Sequence, residues 1–298
     1  MAGDNLDPTT LDSLLLEHAG AGHWYVGFSG GPDSTVLLHL LQRWRERNDP
    51  APSLTAIHIH HGLQPEADSW RQHCETMCRS LDVALLCCEI SVPAGASPEA
   101  AAREARYRAF GELVEEGAVL FLGHHLDDQV ETFFLRLMRG AGVEGLAAIA
   151  PVRPLGGALV IRPLLEIPRV AVENYAAAEG LEFIEDPSNA ETVADRNFLR
   201  QEVLPRLAAR WPGYRQTVTR AAGHMRHAMA ALDEALGETG SLQSPLGDPG
   251  LPLAQLTDCS AGLAAARLRS ALRVWGCRPP DAVGLQEFLQ QLRTAQAD

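Results

Sequence analysis

The sequence contains no lysine, so all 25 residues of its Lys plus Arg total are arginine. That absence excludes mechanisms that need a protein amine, Schiff-base chemistry among them, and it excludes a Walker-type phosphate loop, which requires a lysine. Long apolar runs are missing too, because no stretch approaches the roughly 20 apolar residues that span a bilayer. The N-terminal Met1-Ala2-Gly3-Asp4 segment is polar and acidic, without the basic and then apolar order of a secretory signal. The expectation is a chain that stays in the cytoplasm and has no membrane partner. Positive charge is scarce overall: 25 arginines face 38 acidic residues, for a formal net charge of −13. Such a balance argues against a nucleic-acid partner, since phosphate binding rests on cationic side chains. Distribution matters more than the total, however, and arginine is concentrated at Arg103, Arg106 and Arg108 and again at Arg196, Arg200, Arg206 and Arg210.

What is present reads as two domains, taking roughly 100–200 residues for each. The first two-thirds alternates strand-like apolar runs with helical patterns, the signature of a parallel sheet flanked by helices. Strands are expected at residues 24–28, 54–59, 83–90 and 118–122, with helices from about residue 33, at 66–81 and at 97–116. In the first of these helices Val36, Leu37, Leu40, Leu41 and Trp44 form an apolar stripe at helical spacing. Residues 158–161 read as part of a hairpin or as an added edge strand, followed by a helix over 166–179. Trp211-Pro212-Gly213 punctuates a change to helix-only patterning. The predicted architecture is α/β, with a doubly wound, mostly parallel sheet over residues 1–212 and a smaller all-helical domain over 213–298.

Between the first strand and its helix lies Ser29-Gly30-Gly31-Pro32-Asp33-Ser34. The carboxyl end of a strand facing a helix N-terminus is where open parallel sheets bind ligands. Two glycines let the backbone approach phosphate oxygens, and the free N–H groups of the first helical turn favour an anion. Ser29 and Ser34 add hydroxyls, and Asp33 is placed to hold Mg²⁺ bridging the phosphates. A serine-capped turn is the plain alternative for two adjacent glycines, but the whole hexapeptide in its strand-to-helix context favours pyrophosphate binding. The loop resembles the SGGxDS loop of the ATP-pyrophosphatases, enzymes that split ATP into AMP and pyrophosphate while adenylating a carbonyl oxygen.

Later motifs narrow the resemblance. His58-Ile59-His60-His61-Gly62-Leu63-Gln64-Pro65-Glu66 is similar to the HxxHGLRPE segment of tRNA(Ile)-lysidine synthetases, with Gln64 where that family usually has arginine. Glu104-Ala105-Arg106-Tyr107-Arg108 with Phe110 matches the EARYxxF element. Gly123-His124-His125-Leu126-Asp127-Asp128-Gln129-Val130-Glu131-Thr132, continuing through Arg136 and Arg139-Gly140 to Gly145-Leu146, follows GHHxDDQxET…LRLxRGxGxxGL almost residue for residue. Asp186-Pro187-Ser188-Asn189, Arg196-Asn197, Arg200 and Leu204-Pro205 resemble DPSNxxxxxxRNxxRxxxLP. The likeness covers residues 22–212 and implies a fold of the adenine nucleotide alpha hydrolase type.

It also implies a reaction. ATP would activate C2 of the wobble cytidine in a tRNA(Ile) with a CAU anticodon, and free L-lysine would then displace AMP. ATP would meet residues 29–34, Asp33 and Arg106 would serve adenylation with Mg²⁺ on Asp33, and His61, Arg196 and Arg200 would contact ATP or tRNA. Asp127 and Glu131 lie four apart on one helical face with Asp128 beside them, paired carboxylates that suit the lysine ammonium. Helix capping and a metal cluster of His124, His125, Asp127 and Asp128 remain open for the same stretch. Arg103 and Arg106, one turn apart, share a helix face and stay open to a solvated-surface reading. A homodimer is compatible with the pattern. Two rivals remain: a tRNA thiolase of the same superfamily, and an inactive tRNA-binding module. A thiolase needs catalytic or cluster-binding cysteines. Cys74 and Cys78 in a helical segment and Cys87-Cys88 in a strand do not form the CxxC such chemistry uses, and packing as small apolar residues accounts for them better.

Overall fold

The computed structural model describes residues 6–60, 62, 67–91, 98–185, 195–237, 242–244, 246–277 and 279–295. Two compact units are present, Met1–Gly223 and His224–Asp298.

The first unit is built on a six-stranded sheet in the order β3-β2-β1-β4-β6-β5. Its strands are β1 (His23–Gly27), β2 (Ser53–His60), β3 (Ala84–Glu89), β4 (Val119–Phe121), β5 (Val152–Leu155) and β6 (Ala158–Ile161), and two short helices, α1 (Asp12–Glu17) and α6 (Val143–Leu146), stand among the longer ones. All neighbours are parallel except the β5/β6 hairpin. Residues 158–161 therefore do belong to a hairpin, but they pair with β4 inside the sheet, and Val152–Leu155 forms the edge. Pro154 within β5 is compatible with that place, because a residue without an N–H is tolerated on an edge.

Alternation along β1 assigns the two faces. Trp24, Val26 and Phe28 enter one core with Leu37, Leu38, Leu40, Leu41 and Trp44 of α2 (Pro32–Arg47), Cys74 and Cys78 of α3 (Ala67–Ser80), and Val172 and Tyr175 of α7 (Arg169–Ala178). Tyr25 points the other way, into a cluster with Phe110 from α4 (Pro98–Leu113), Val114 just beyond it, and Leu120 and Val160 from the sheet. Trp24 is fully buried, packs edge-on to Phe121 and sits 5.0 Å from the Trp44 ring. Helix α7 begins at Arg169 rather than near 166 because Pro168 occupies its N-cap in an extended conformation.

The strand order reverses direction of growth at β1, which has β2 on one side and β4 on the other. This is the switch point at which open α/β sheets leave a crevice at the carboxyl ends of the strands. Helix α2 leaves that end of β1, and α5 (Leu126–Met138) leaves that end of β4. Beyond the sheet, Asp195–Phe198 continues into a five-residue π-type turn, Leu199–Val203, and a helix at Leu204–Arg210. Leu199, Leu204 and Tyr214 pack with Val130 of α5 as a separate small core.

The second unit contains the remainder of the long helix Tyr214–Leu236, a two-residue strand pair, and helices Ala254–Thr257, Ala261–Val274 and Ala282–Ala295. Its core is Leu256, Ala264, Leu268, Leu285 and Leu289. Among the described residues no helix is long and apolar enough to cross a membrane.

Candidate functional site

The loop from Ser29 to Ser34 is held open by its own side chains. Ser34 Oγ accepts from the Ser29 N–H at 3.2 Å and donates to the Gly31 carbonyl at 3.0 Å, with Ser29 Oγ at 3.1 Å. Gly30 has φ of +83°, a left-handed conformation available cheaply only to glycine, and a Cβ there would stand 2.5 Å from Ile184 Cδ1. Its carbonyl accepts the Ile184 N–H at 2.8 Å, which ties residue 184 to the loop. Pro32 sits in the first turn of α2, where its missing N–H costs nothing, and no side chain caps the Gly31 end of the helix. The uncapped turn faces a cavity of about 290 Å³ lined by Ser29, Gly31, Asp33 and Ser34.

Gly123 closes the second side. A Cβ there would lie 3.0 Å from the Asp33 carbonyl oxygen and 3.3 Å from the Ser34 nitrogen, so the β4 and β1 loops meet backbone to backbone. Next, His125 is the N-cap of α5. Its Nδ1 accepts the Asp128 N–H at 3.3 Å, while Asp128 Oδ2 accepts the His125 N–H at 3.0 Å. This reciprocal box engages Asp128 and the His125 ring in helix capping, and among the described residues no group of three His, Cys, Asp or Glu is arranged to hold a metal.

Asp33 and Asp128 both line the 290 Å³ cavity, and His125 Nε2 is 3.6 Å from Asp33 Oδ1. Burial raises the Asp33 carboxyl above its ordinary value, with Asp128 adding to the rise and His125 opposing it. Burial acts the same way on Asp128, but the neighbouring His125 and His124, the backbone hydrogen bond and Arg196 outweigh it and hold this carboxyl low. Asp33 Oδ1 is a buried acceptor with no hydrogen-bond donor among the described residues. An ionised oxygen in that state calls for a cation. Arg106 projects from α4 into this cavity and into an adjoining one of about 310 Å³. Its head is reachable by solvent inside the cleft yet walled by protein, and burial followed by the charge of Arg103 lowers its pKa.

One helical step along α5 the chemistry changes. Asp127 and Glu131 face a separate cavity of about 580 Å³. Asp127 Oδ2 accepts the Arg169 backbone N–H at 2.9 Å, satisfying a donor at the start of α7, and Oδ1 accepts from Arg215 Nε. Glu131 is 1% exposed and receives both Nε and Nη2 of Arg200, at 2.7 and 3.0 Å, with Arg196 Nε 3.7 Å away. Glu173 and Arg169 add one more charge of each sign to the lining. The cavity carries three carboxylates and three guanidiniums, which matches a zwitterion better than a simple cation.

The structure thus brings Ser29, Gly31, Asp33, Ser34, Arg106, Asp128 and Arg196 to one cavity, with Pro32 lining the adjoining one, and Asp127, Glu131 and Arg200 to another. The shared face expected for Asp127 and Glu131 is present; Asp128 turns instead to the phosphate loop. Arg196 and Arg200 both converge on Glu131. Arg103 and Arg106 leave neighbouring turns of α4 but line different cavities. His61, Gln64 and residues 186–189 lie outside the described residues. Sequence reading passed over Arg169 and Arg215, which complete the charged cavity, and Gln129, whose buried amide accepts the Ile149 N–H at 2.6 Å and donates to the Ile149 carbonyl at 2.9 Å. The only sequence signal for Gln129 was its place in the GHHxDDQxET match; Arg169 and Arg215 belong to no motif.

All six cysteines are free. Burial pushes the Cys74 and Cys78 thiols up to about 12, and Cys87 also above its ordinary value, so these are thiols and not nucleophilic thiolates at neutral pH.

A Gly-rich loop with no lysine, at the switch point of a mostly parallel sheet, defines an α/β protein of the PP-loop class. The PP-loop domain family matches residues 8–207, and the chain belongs to that family. Similar proteins include the tRNA(Ile)-lysidine synthase of Pseudomonas putida, 50% identical over 88% of this chain and 61% of its own, and that of Alkalilimnicola ehrlichii, 42% identical over 98% and 65%. The chain spans about three-fifths of the length of these relatives. A U34-tRNA thiolase from Methanococcus maripaludis shares the fold, with a TM-score of 0.60 at 19% identity over 74% of this chain and 78% of its own.

Proposed function

We propose that this chain performs the chemistry of a tRNA(Ile)-lysidine synthetase, joining L-lysine to C2 of the wobble cytidine of a CAU-anticodon tRNA(Ile) at the expense of ATP. The carrying observation is the pair of cavities on α5: a phosphate-loop cavity edged by Asp128 and a charge-balanced cavity edged by Asp127 and Glu131, in a chain 42–50% identical to proteins named for that reaction.

In the first step the cytidine O2 attacks the α-phosphorus of ATP, and the bond to pyrophosphate breaks. The amides at the start of α2 and the hydroxyls of Ser29 and Ser34 hold the phosphates, and Arg106 stabilises negative charge on the departing pyrophosphate. Asp33, with its orphaned oxygen, fits Mg²⁺, which needs only one or two carboxylates beside phosphate oxygens and which supplies charge neutralisation when bound. In the second step the lysine ε-nitrogen attacks C2, the C–O bond breaks, AMP leaves and the amine releases its proton. Asp127 and Glu131 attract the lysine ammonium groups, while Arg200 and Arg215 offset their charge and meet the lysine carboxylate. Arg196 stands between the two cavities. The raised thiols of Cys74, Cys78 and Cys87 weigh against sulfur transfer through them.

The test is incubation with ATP, Mg²⁺, radiolabelled lysine and an unmodified CAU tRNA(Ile). Acid-stable label in tRNA together with AMP and pyrophosphate is expected. Sulfur incorporation, or tRNA binding with no ATP cleavage, would replace this reading with a thiolase or a binding module.

A further inference from the structure

A third cavity, of about 530 Å³, is lined by six arginines: Arg103, Arg136, Arg139, Arg153, Arg162 and Arg196. Asp195 is the one acidic residue among the described residues that line it. In a chain with net charge −13, so dense a cluster of one sign is costly unless something offsets it. The cost is visible in the side chains themselves. Burial pushes both Arg136 and Arg162 below the ordinary arginine range; the charge of Arg103 adds to it at Arg136, and those of Arg153 and Arg103 add to it at Arg162 against the opposing Tyr107.

Two of the six are consumed by structure. Arg136 donates to the carbonyls of Gly145 and Ala148 at 3.0 and 2.9 Å, and Arg162 donates to the Ala150 carbonyl and to the Tyr107 hydroxyl. With the Gln129 clamp on Ile149, these bonds fix the wall of the cavity. Arg196 is held by Glu131 at 3.7 Å and by the Thr132 hydroxyl at 3.5 Å, which leaves the heads of Arg103, Arg139 and Arg153 to receive a ligand. Arg103, Arg139 and Arg153 are exposed at the rim, and Arg139 meets Asp195 only at 3.8 Å with its side chain 71% exposed. The Tyr107 ring lies 5.3 Å from the Arg103 guanidinium and 4.6 Å from that of Arg153, which props both heads. Deeper in, Arg162 Nε, Arg196 Nε and His124 Nδ1 are buried polar atoms with no hydrogen-bond partner among the described residues. Buried orphans of this kind ordinarily have an acceptor. His124 and Arg196 also line the 290 Å³ cavity, so a ligand held here reaches the phosphate loop.

We infer that this arginine cavity is the subsite for the sugar-phosphate backbone of the RNA substrate beside the base that is modified, with Arg103, Arg139 and Arg153 contacting phosphates and the buried donors meeting the nucleotide that enters. The inference rests on the proposed RNA-modifying function and adds the place of the RNA. A net acidic protein binds RNA here because the positive field is local, within a Debye length of about 8–10 Å at moderate salt.

The experiment uses the full chain, unmodified CAU tRNA(Ile), and an Arg139→Glu/Arg153→Glu double variant, two exposed positions outside the phosphate loop. RNA affinity is measured across a salt series, and ATP affinity in parallel. We expect the variant to bind tRNA at least about tenfold more weakly at low salt, with a shallower salt dependence by about one unit of log–log slope per lost phosphate contact, and with ATP affinity unchanged. An Arg139→Lys/Arg153→Lys variant should keep most of the binding. Unchanged RNA affinity and slope in the Glu variant, beside a wild type that binds, overturns the inference and leaves the lysidine reading intact. A wild type that binds ATP but no tRNA at any salt overturns the lysidine reading itself.

Discussion

Single residues divide the work of the site according to what surrounds each charge. Asp33 and Glu131 are both carboxylates that line cavities, yet one has a buried oxygen without a donor among the described residues and the other is saturated by a bidentate guanidinium. They should respond differently to loss of charge. Asp33→Asn is expected to lower pyrophosphate release about 100-fold or more, the scale of a lost preorganised electrostatic contact, with melting unchanged; a quench-flow assay beside circular dichroism reads both. Glu131→Gln strands the Arg200 guanidinium and should destabilise the first unit by about 2–3 kcal/mol in urea unfolding, somewhat under the range for a fully buried pair because Arg200 keeps 27% of its side chain exposed. The lysine KM of the Gln variant should rise as well, if Glu131 meets the substrate ammonium.

At the scale of elements, the site exists because β1 and β4 are adjacent and parallel, which brings two loops to one edge. Their closeness is limited by Gly123. With a Cβ 3.0 Å from the Asp33 carbonyl, the Gly123→Ala variant must separate the β4 loop from the phosphate loop, since neither partner atom belongs to a flexible side chain. A drop in ATP affinity of at least about tenfold is expected, with a stability cost of about 1–2 kcal/mol of overpacking; calorimetry with ATP checks it. The reach of α5 carries the same logic further. Its first turn puts Asp128 toward the cavity of the Ser29–Ser34 loop and Asp127 toward the charged cavity, so one helix edges both.

For the whole molecule, two consequences follow from burial and from the division into units. His124 is held neutral, its pKa lowered to about 4 chiefly by burial. Between that value and the unfolded value of about 6.5 the unfolded chain binds the proton and the folded chain does not, so stability rises with pH through this window, is complete above it and is lost as pH falls toward 4. His39, lowered by burial, acts in the same direction, and Asp33, raised by burial, opposes it. The discriminating measurement is therefore a difference: the fall in melting temperature from pH 7 to pH 4.5 should be smaller in His124→Gln than in the wild type. The second consequence concerns length. Tyr214 packs with Val130, Leu199 and Leu204, and Arg215 pairs with Asp127, so both belong with Met1–Gly223. Truncation after residue 223 should leave a cooperative melt of the first unit, whereas truncation after residue 212 should melt lower and, on the proposed function, lose lysine affinity.

Local pattern was enough to read the parallel strands and the phosphate loop, because period-two alternation, glycine and proline act over a few residues. The strand over residues 24–28 and the shared helical face of Asp127 and Glu131 were read from spacing alone, whereas which core Trp24 and Tyr25 each enter came from the packing. The motif resemblance extended that reading to Arg106, Arg196 and Arg200. Contacts between distant segments lay beyond any window of sequence. Arg169 and Arg215 reach Asp127 across 42 and 88 residues, and the arginine cavity gathers side chains from four separate elements. Absence of lysine settled which phosphate chemistry the chain cannot use. Tertiary structure alone decided where its arginines act, because a guanidinium has a function only relative to the carboxylates, carbonyls and open space that folding places around it.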